Sequence, residues 1–213
     1  MNNITYRKVH KNDYATIKTL INKAFKFEGY IKNPKMLDKC LTIYLRSCLA
    51  SKTFSSVAVK DGNVIGIILG SSKNNKSIFN SINHNLMSAF IIFSFLFESK
   101  KDREHLKEYL KISKSYDELI KNRKNDFQGC IDLFIVSNEC QGLGVGKQLV
   151  SNLMAYMKDN SVSNLYLYTD SNCNYGFYDS QGFKQLDSRD VDILTTTDSV
   201  LLNVYLYGYH INV

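Results

Sequence analysis

Three glycines fall within five residues, at 142, 144 and 146, and no other stretch of the chain constrains its fold as tightly. The whole sequence of 213 residues holds only 11 Gly and one Pro, so this is a local feature rather than background. Ahead of it lies an apolar, β-prone run over 130–136 (CIDLFIV). Behind it, residues 146–158 place Leu149, Val150, Leu153, Met154 and Met157 at helical spacing. The pattern predicts a strand that ends in a Gly-rich turn opening a helix. Glycines let the backbone curl so that successive N–H groups point into one concavity. The helix start adds further N–H groups without intrahelical partners and partial positive charge. Such a turn suits a pyrophosphate. The spacing is neither the P-loop GxxxxGK[ST] nor the dinucleotide GxGxxG, because here the third Gly follows the second by two positions. A plain Gly-rich connector is the competing reading of these residues.

The rest of the chain alternates helical and extended patterns. Residues 4–9 read as a short strand, and Asn12 or Asp13 caps a helix carrying Ile17, Leu20, Ile21, Ala24 and Phe25. A polar loop is expected over 26–33. Asn33-Pro34 then supplies an N-cap and first helical residue for a helix with Leu37, Leu41, Tyr44, Leu45 and Leu49 on one face. Asp61-Gly62 between 54–60 and 63–70 is a hairpin signal. The second of these strands is apolar on both faces and therefore central. Helices are expected over 78–97 and 102–124, strands over 164–169, 183–188 and 199–207, and a short helix over 174–180. No Pro and no Gly occurs from 71 to 128, so the helical pair reads as an insertion of about 72–126 within a single domain spanning 1–213.

Composition removes several function classes. The five cysteines (40, 48, 130, 140, 173) show no CxxC spacing, and the four His lie away from them, which argues against a zinc site or a disulfide framework. Reduced thiols and an N-terminus without an apolar signal core make a cytoplasmic location the expectation. The apolar run 86–97 (LMSAFIIFSFLF) is shorter than the ~20 residues a membrane span needs. Its apolar side chains nevertheless surround the helix, so its far side is expected to line an acceptor pocket or to contact a second subunit in a homodimer. The net charge is +7, of which +4 lies in 99–125, where nine Lys/Arg face five Asp/Glu. This reads as a solvated helix face, with no motif for nucleic acid.

The Gly-rich turn also carries a resemblance. Val136 followed by Gln141-x-x-Gly144-x-Gly146 matches the [Gln/Arg]-x-x-Gly-x-[Gly/Ala] signature of the GNAT superfamily of N-acetyltransferases. Downstream, Asn174-Tyr175-Gly176-Phe177-Tyr178-Asp179-Ser180-Gln181-Gly182-Phe183 resembles the family's Phe/Leu-Tyr-x-x-x-Gly-Phe helix end. Two departures, Asn138 for a frequent Pro and Asn174 for a frequent Ala, leave the Gly-rich turn intact. The resemblance implies an α/β fold with one mixed, mostly antiparallel sheet that splays in the middle, carrying here a helical-hairpin insertion. The activity it implies is transfer of the acetyl group of acetyl-coenzyme A to a primary amine, by direct attack in a ternary complex. A non-catalytic acyl-coenzyme A-binding module is the alternative.

By the same resemblance, Gln141, Gly142, Leu143, Gly144, Val145, Gly146 and Lys147 would hold the pyrophosphate through backbone N–H groups. Lys147 adds charge there or is simply solvated. Phe134, Ile135 and Val136 would flank the thioester, and Asn172 would touch the pantetheine or serve as a turn residue. Tyr178 stands where the family has an acid that protonates the departing thiolate, with aromatic packing as its other reading. For the base the candidates are Asp132, whose parity with Phe134 and Val136 puts it on the cofactor side of its strand, and Glu28, in the loop expected to border the acceptor. The acceptor is a small-molecule or peptide amine of unspecified identity, and no metal is involved.

Overall fold

The computed structural model describes residues 4–75, 111–194 and 199–212. Seven strands form one sheet: β1 (Ile4–Arg7), β2 (Phe54–Lys60), β3 (Asn63–Ser72), β4 (Gly129–Val136), β5 (Asn164–Asp170), β6 (Lys184–Leu194) and β7 (Ser199–His210). Their order across the sheet is β1-β2-β3-β4-β5-β7-β6. Every neighbouring pair is antiparallel except β4 and β5, which run parallel. A parallel pair needs a crossover, and helix α5 (Val145–Asp159) supplies it. Among the described residues the other α-helices are α1 (Tyr14–Phe25), α2 (Phe27–Tyr30), α3 (Pro34–Ser51), α4 (residues 111–120) and α6 (Gly176–Ser180).

Local chemistry accounts for the connections. Asp61 and Gly62 both take positive φ (51° and 78°), as the tight turn between Lys60 and Asn63 requires. The Asn33 side chain accepts the N–H groups of Lys35 and Met36, and Pro34 follows as the first residue of α3. The strand over 63–72 is indeed central, with almost every side chain from Val64 onward buried or partly so. Gly66 and Gly70 on this strand let α5 lie close: a Cβ at Gly70 would come within 2.5 Å of Leu153 Cδ1.

The core is divided by the sheet. On one face α5 buries Val145, Leu149, Val150, Leu153 and Met157 against β2–β5, with Phe183 and Tyr207 closing the end. On the other face α1 and α3 cover β2–β4 through Ile17, Ile21, Leu45 and Leu49. The same face over β5, β7 and β6 is covered by α4 through Leu119 and Ile120, with Phe127 beside it. The helices α3 and α4 therefore flank the centre of the sheet.

Several boundaries differ from the sequence reading. Residues 27–30 within the expected loop close one helical turn. The helix expected to run to 124 ends at 120, where a basic, Asn-containing stretch continues as turns to 126. Strand β6 extends to Leu194. It is an edge strand with Asp187, Arg189, Asp190 and Asp192 exposed, so only Val191 and Ile193 betray its buried side. Those charges disfavour further strand pairing at that edge. The helix expected over 78–97, its apolar run 86–97 and the first part of 102–124 lie outside the described residues. Among the described residues no helix is long and apolar enough to cross a membrane, and none of the five cysteines is in a disulfide.

The N-terminal strand is tied to the α1 start by a forked ion pair. Arg7 Nη1 and Nη2 donate to the two Asp13 carboxylate oxygens at 2.7 and 2.8 Å, and the His10 N–H donates to Asp13 Oδ2 at 2.8 Å. These donors, the Arg7 guanidinium foremost, hold the buried Asp13 carboxyl below its ordinary value of 3.8. A depressed carboxyl contributes stability above its unfolded value and loses it as pH falls. Asp13→Asn should therefore cost about 1–2 kcal/mol at neutral pH. The gap to the parent should close below about pH 4, as urea unfolding at a series of pH values would read.

Candidate functional site

Strands β4 and β5 pair over three residues and then part. Their register ends at Ile131↔Leu167, although β4 continues to Val136 and β5 to Asp170. A cleft of about 970 Å³ opens through this gap and reaches both faces of the sheet. Its lining runs from the Gly-rich turn and α6 on one face to α1, α3 and α4 on the other.

The turn itself is built from conformational need. Gly142 and Gly144 take φ of 79° and 75°, the left-handed region that L side chains avoid, and a Cβ on either would meet nothing within 4 Å. Both therefore sit on an open rim. Gln148 is the first residue of α5 whose N–H finds an intrahelical acceptor, Gly144 O at 3.0 Å. The N–H groups of Val145, Gly146 and Lys147 precede it at the cleft rim, and among the described residues no side chain caps the helix. Lys147 is exposed beside them, and the Gln141 side chain braces the turn by donating to Asn138 Oδ1 at 3.0 Å. Leu143 is exposed at the tip. Gly146 plays a different part from Gly144. A Cβ there would press on Phe177 at 3.2 Å and Phe134 at 3.3 Å, so this glycine serves packing rather than an open rim.

Hydrogen-bond alternation orients the β4 backbone. The Ser137 N–H donates to Ile65 O at 2.8 Å, so Ser137 and, two residues back, Ile135 turn their peptide groups toward β3. Phe134 and Val136 turn theirs into the gap. Ile135 also lines the cleft, but its peptide groups belong to the β3 ladder and its side chain to the core under α1 and α3.

Tyr178, on α6, is 8% exposed and lines the cleft. Its ring lies 6.1 Å from Phe134, 5.7 Å from Phe183 and 5.9 Å from Tyr207. Aromatic packing and a place on the cleft wall coincide in this one residue. Burial foremost, then Cys173 and Asp170 nearby, raise its phenol well above the ordinary value, so the resting side chain is protonated. Asn172 is exposed on the turn after β5, where its N–H donates to Asp170 Oδ1 at 2.8 Å, and it also lines the cleft.

Asp132 corrects the parity argument. The β3–β4 register passes from Leu69↔Leu133 to Gly70↔Ile131, so Asp132 is the extra residue of a bulge. Its Oδ1 accepts Ser51 Oγ of α3 at 2.8 Å and Ser71 Oγ at 3.4 Å, and its carbonyl accepts the Cys48 thiol at 3.4 Å. The side chain therefore faces α3, opposite Phe134, and meets the cleft from the α3–α4 side. Glu28 is corrected more simply. It accepts from Asn22 Nδ2 at 3.0 Å on the exposed side of α2 and is not among the residues lining the cleft.

Asp170 was missed. It ends β5, two residues beyond Tyr168, and is 9% exposed where the cleft leaves the sheet. Burial raises its carboxyl above the ordinary 3.8, opposed by the Asn172 N–H and the Cys173 thiol. The adjacent Cys173 thiol is pushed up to about 12, by burial first and Asp170 second, and is no nucleophile at neutral pH. An Asp closing an apolar strand, in step with Tyr166 and Tyr168, is the one sequence signal that could have found it. Its place in a plausible Asp-Ser-Asn turn hid it.

The family model described as the acetyltransferase (GNAT) family matches residues 17–183, and the chain belongs to that family. Its fold is shared with solved structures at low sequence identity. An N-acetyltransferase from Staphylococcus aureus Mu50 is 13% identical with a TM-score of 0.56, each chain covered to 99%. A polyamine N-acetyltransferase from Drosophila melanogaster is 12% identical with a TM-score of 0.55, covering 98% of this chain and 100% of that one. A Salmonella typhimurium protein solved with acetyl-CoA is 16% identical with a TM-score of 0.53, covering 99% and 95%. No curated protein sequence matches the chain.

The packing role of Gly146 is open to test. Gly146→Leu should cost about 1–3 kcal/mol by driving apart Phe134 and Phe177, whose rings lie 5.2 Å apart. The loss would be read as a lower midpoint in chemical unfolding.

Proposed function

We propose that this protein transfers the acetyl group of acetyl-CoA to a primary amine, by direct attack of the amine in the cleft between β4 and β5. The observation that carries the reading is the splay. It joins the open N–H groups at the start of α5 to the gap-facing peptide groups of Phe134 and Val136, and both to Tyr178. These residues fit acetyl-CoA: the Gly142–Lys147 turn suits its pyrophosphate, with Lys147 adding charge, and the β4 edge suits its pantetheine amides. Asn172 borders the same passage. When bound, acetyl-CoA supplies an activated acetyl group on a sulfur that can leave as thiolate.

The chain's own groups do the rest. A gap-facing N–H of Phe134 or Val136 polarises the acetyl carbonyl. The amine nitrogen forms a bond to the carbonyl carbon as the carbon–sulfur bond breaks. Asp170 accepts the proton that the amine loses, its raised carboxyl being better matched to that task than an ordinary one. Tyr178 donates a proton to the sulfur, and the proton held at Asp170 then restores the phenol. The apolar walls favour the neutral, attacking form of the amine.

Two experiments test this. Gly144→Glu puts a carboxylate on the open rim where the phosphates would lie. Acetyl-CoA affinity in calorimetry should fall at least about tenfold, and unchanged affinity in a folded variant would remove the cofactor assignment. Tyr178→Phe and Asp170→Asn address the proton steps. Each should lower turnover by about 10²–10⁴, with Tyr178→Phe leaving acetyl-CoA affinity within a few-fold. Because the Asp170 carboxyl is raised, the acid limb of kcat/KM in the parent should lie above the ordinary 3.8, with activity lost as pH falls through it. That limb should vanish in Asp170→Asn.

A further inference from the structure

We propose that the acceptor is an aliphatic diamine, acetylated at one end while its second positive charge is held by Asp132 among tyrosine rings. This rests on the acetyl-transfer reading and concerns the α3–α4 side of the same cleft.

Charge is the first argument. The protein carries a net charge of +7, yet the charged side chains lining the interior of the cleft, among the described residues, are carboxylates, Asp132 and Asp170. The lysines that touch it, Lys23, Lys26 and Lys147, are all exposed at its rims. A negative interior in a basic protein selects against anionic acceptors and favours cations.

The second argument is the wall. Tyr44 from α3, Tyr116 from α4, and Tyr166 and Tyr168 from β5 line the cleft on the side that Asp132 faces. Tyr116 and Tyr168 stack at 4.4 Å with 13° between their planes, and Tyr166 stands edge-on to Tyr168 at 5.4 Å. Burial raises both Tyr166 and Tyr168, so these rings remain neutral phenols whose faces attract an ammonium group. Ile112 and Leu202 complete an apolar surface suited to methylenes.

The third argument is placement. The bulge turns Asp132 out of the Phe134 face, and the hydroxyls of Ser51 and Ser71 fix its carboxylate. Asp132 lies one residue beyond the last β4–β5 pair, whereas Asp170 lies three beyond. At about 3.3 Å per residue and a strand spacing of about 4.8 Å or more, their Cα atoms are at least about 8 Å apart. A diamine with about four methylenes spans about 6 Å between its nitrogens, and a hydrogen bond of about 2.8 Å at each end extends its reach past this separation. One amine can thus meet Asp170 near Tyr178 while the other meets Asp132.

The test compares 1,4-diaminobutane with n-butylamine, which has the same carbon chain and one charge fewer. On the unaltered protein, thiol release with acetyl-CoA should give a kcat/KM at least about tenfold higher for the diamine, mainly through a lower KM. Calorimetric titration should show the diamine, and not n-butylamine, binding to the protein. Asp132→Asn should shrink the diamine-to-monoamine ratio at least about tenfold. Tyr116→Leu, a change on α4 that leaves the bulge intact, should shrink it in the same direction. If acetyl-CoA binds but the two amines are used equally, or neither is used, the diamine assignment falls and the cofactor assignment stands. If acetyl-CoA fails to bind, the acetyl-transfer reading falls and this inference with it.

Discussion

Everything in the site follows from the early end of the β4–β5 ladder. Parallel strands share evenly spaced hydrogen bonds, and continuing the ladder would have consumed the peptide groups of Phe134, Val136 and the end of β5. The pairing instead stops at Ile131↔Leu167, and the two strands leave each other at the centre of a seven-stranded sheet. Buried peptide groups need partners. A gap lined by them is a standing demand for an extended, amide-bearing occupant or for water, and the surrounding structure is arranged to meet it.

Two features keep the gap open. The ladder from Gly66↔Val136 to Ser72↔Gly129 holds β4 against β3 over its whole length, with α5 packed close over Gly66 and Gly70, so β4 does not swing toward β5. On the far side, β5 is held over its whole length by β7, from Asn164↔His210 to Asp170↔Val204. Each strand is more firmly joined to its outer neighbour than to the other. The aromatic cluster of Phe134, Phe177, Tyr178 and Phe183 props one face of the opening, while the packed helices α3 and α4 bound the other.

Much of this was legible in the residues. The Gly-rich turn, the Asp-Gly hairpin, the Asn33 cap and the buried stripe of α5 are local features whose chemistry stands in a few consecutive positions. What escaped depended on contacts between distant segments. A bulge opposite Leu69 and Gly70 moved Asp132 to the other face, and simple period-two counting cannot see an extra residue. Glu28 was drawn off by Asn22, a partner six residues away on a helix end. Gly146 looked like its neighbours, but two rings from other elements determine what it does. Asp170 became notable only when burial was known, since an Asp after a strand is ordinary turn chemistry. Strand β6 runs on past its expected end at 188, where exposed charges mask the alternation of Val191 and Ile193.

The tyrosine walls have an optical consequence. The chain has 14 Tyr and no Trp, so its near-ultraviolet absorption and emission come from tyrosine without a dominant indole signal. Tyr116 and Tyr168 are stacked on the wall of the cleft, close enough for their transitions to couple. The circular dichroism of that pair depends on the angle and spacing between two rings that belong to different elements. The protein thus carries a chromophore of its own at the centre of its cleft, and events there can be followed in solution without any label.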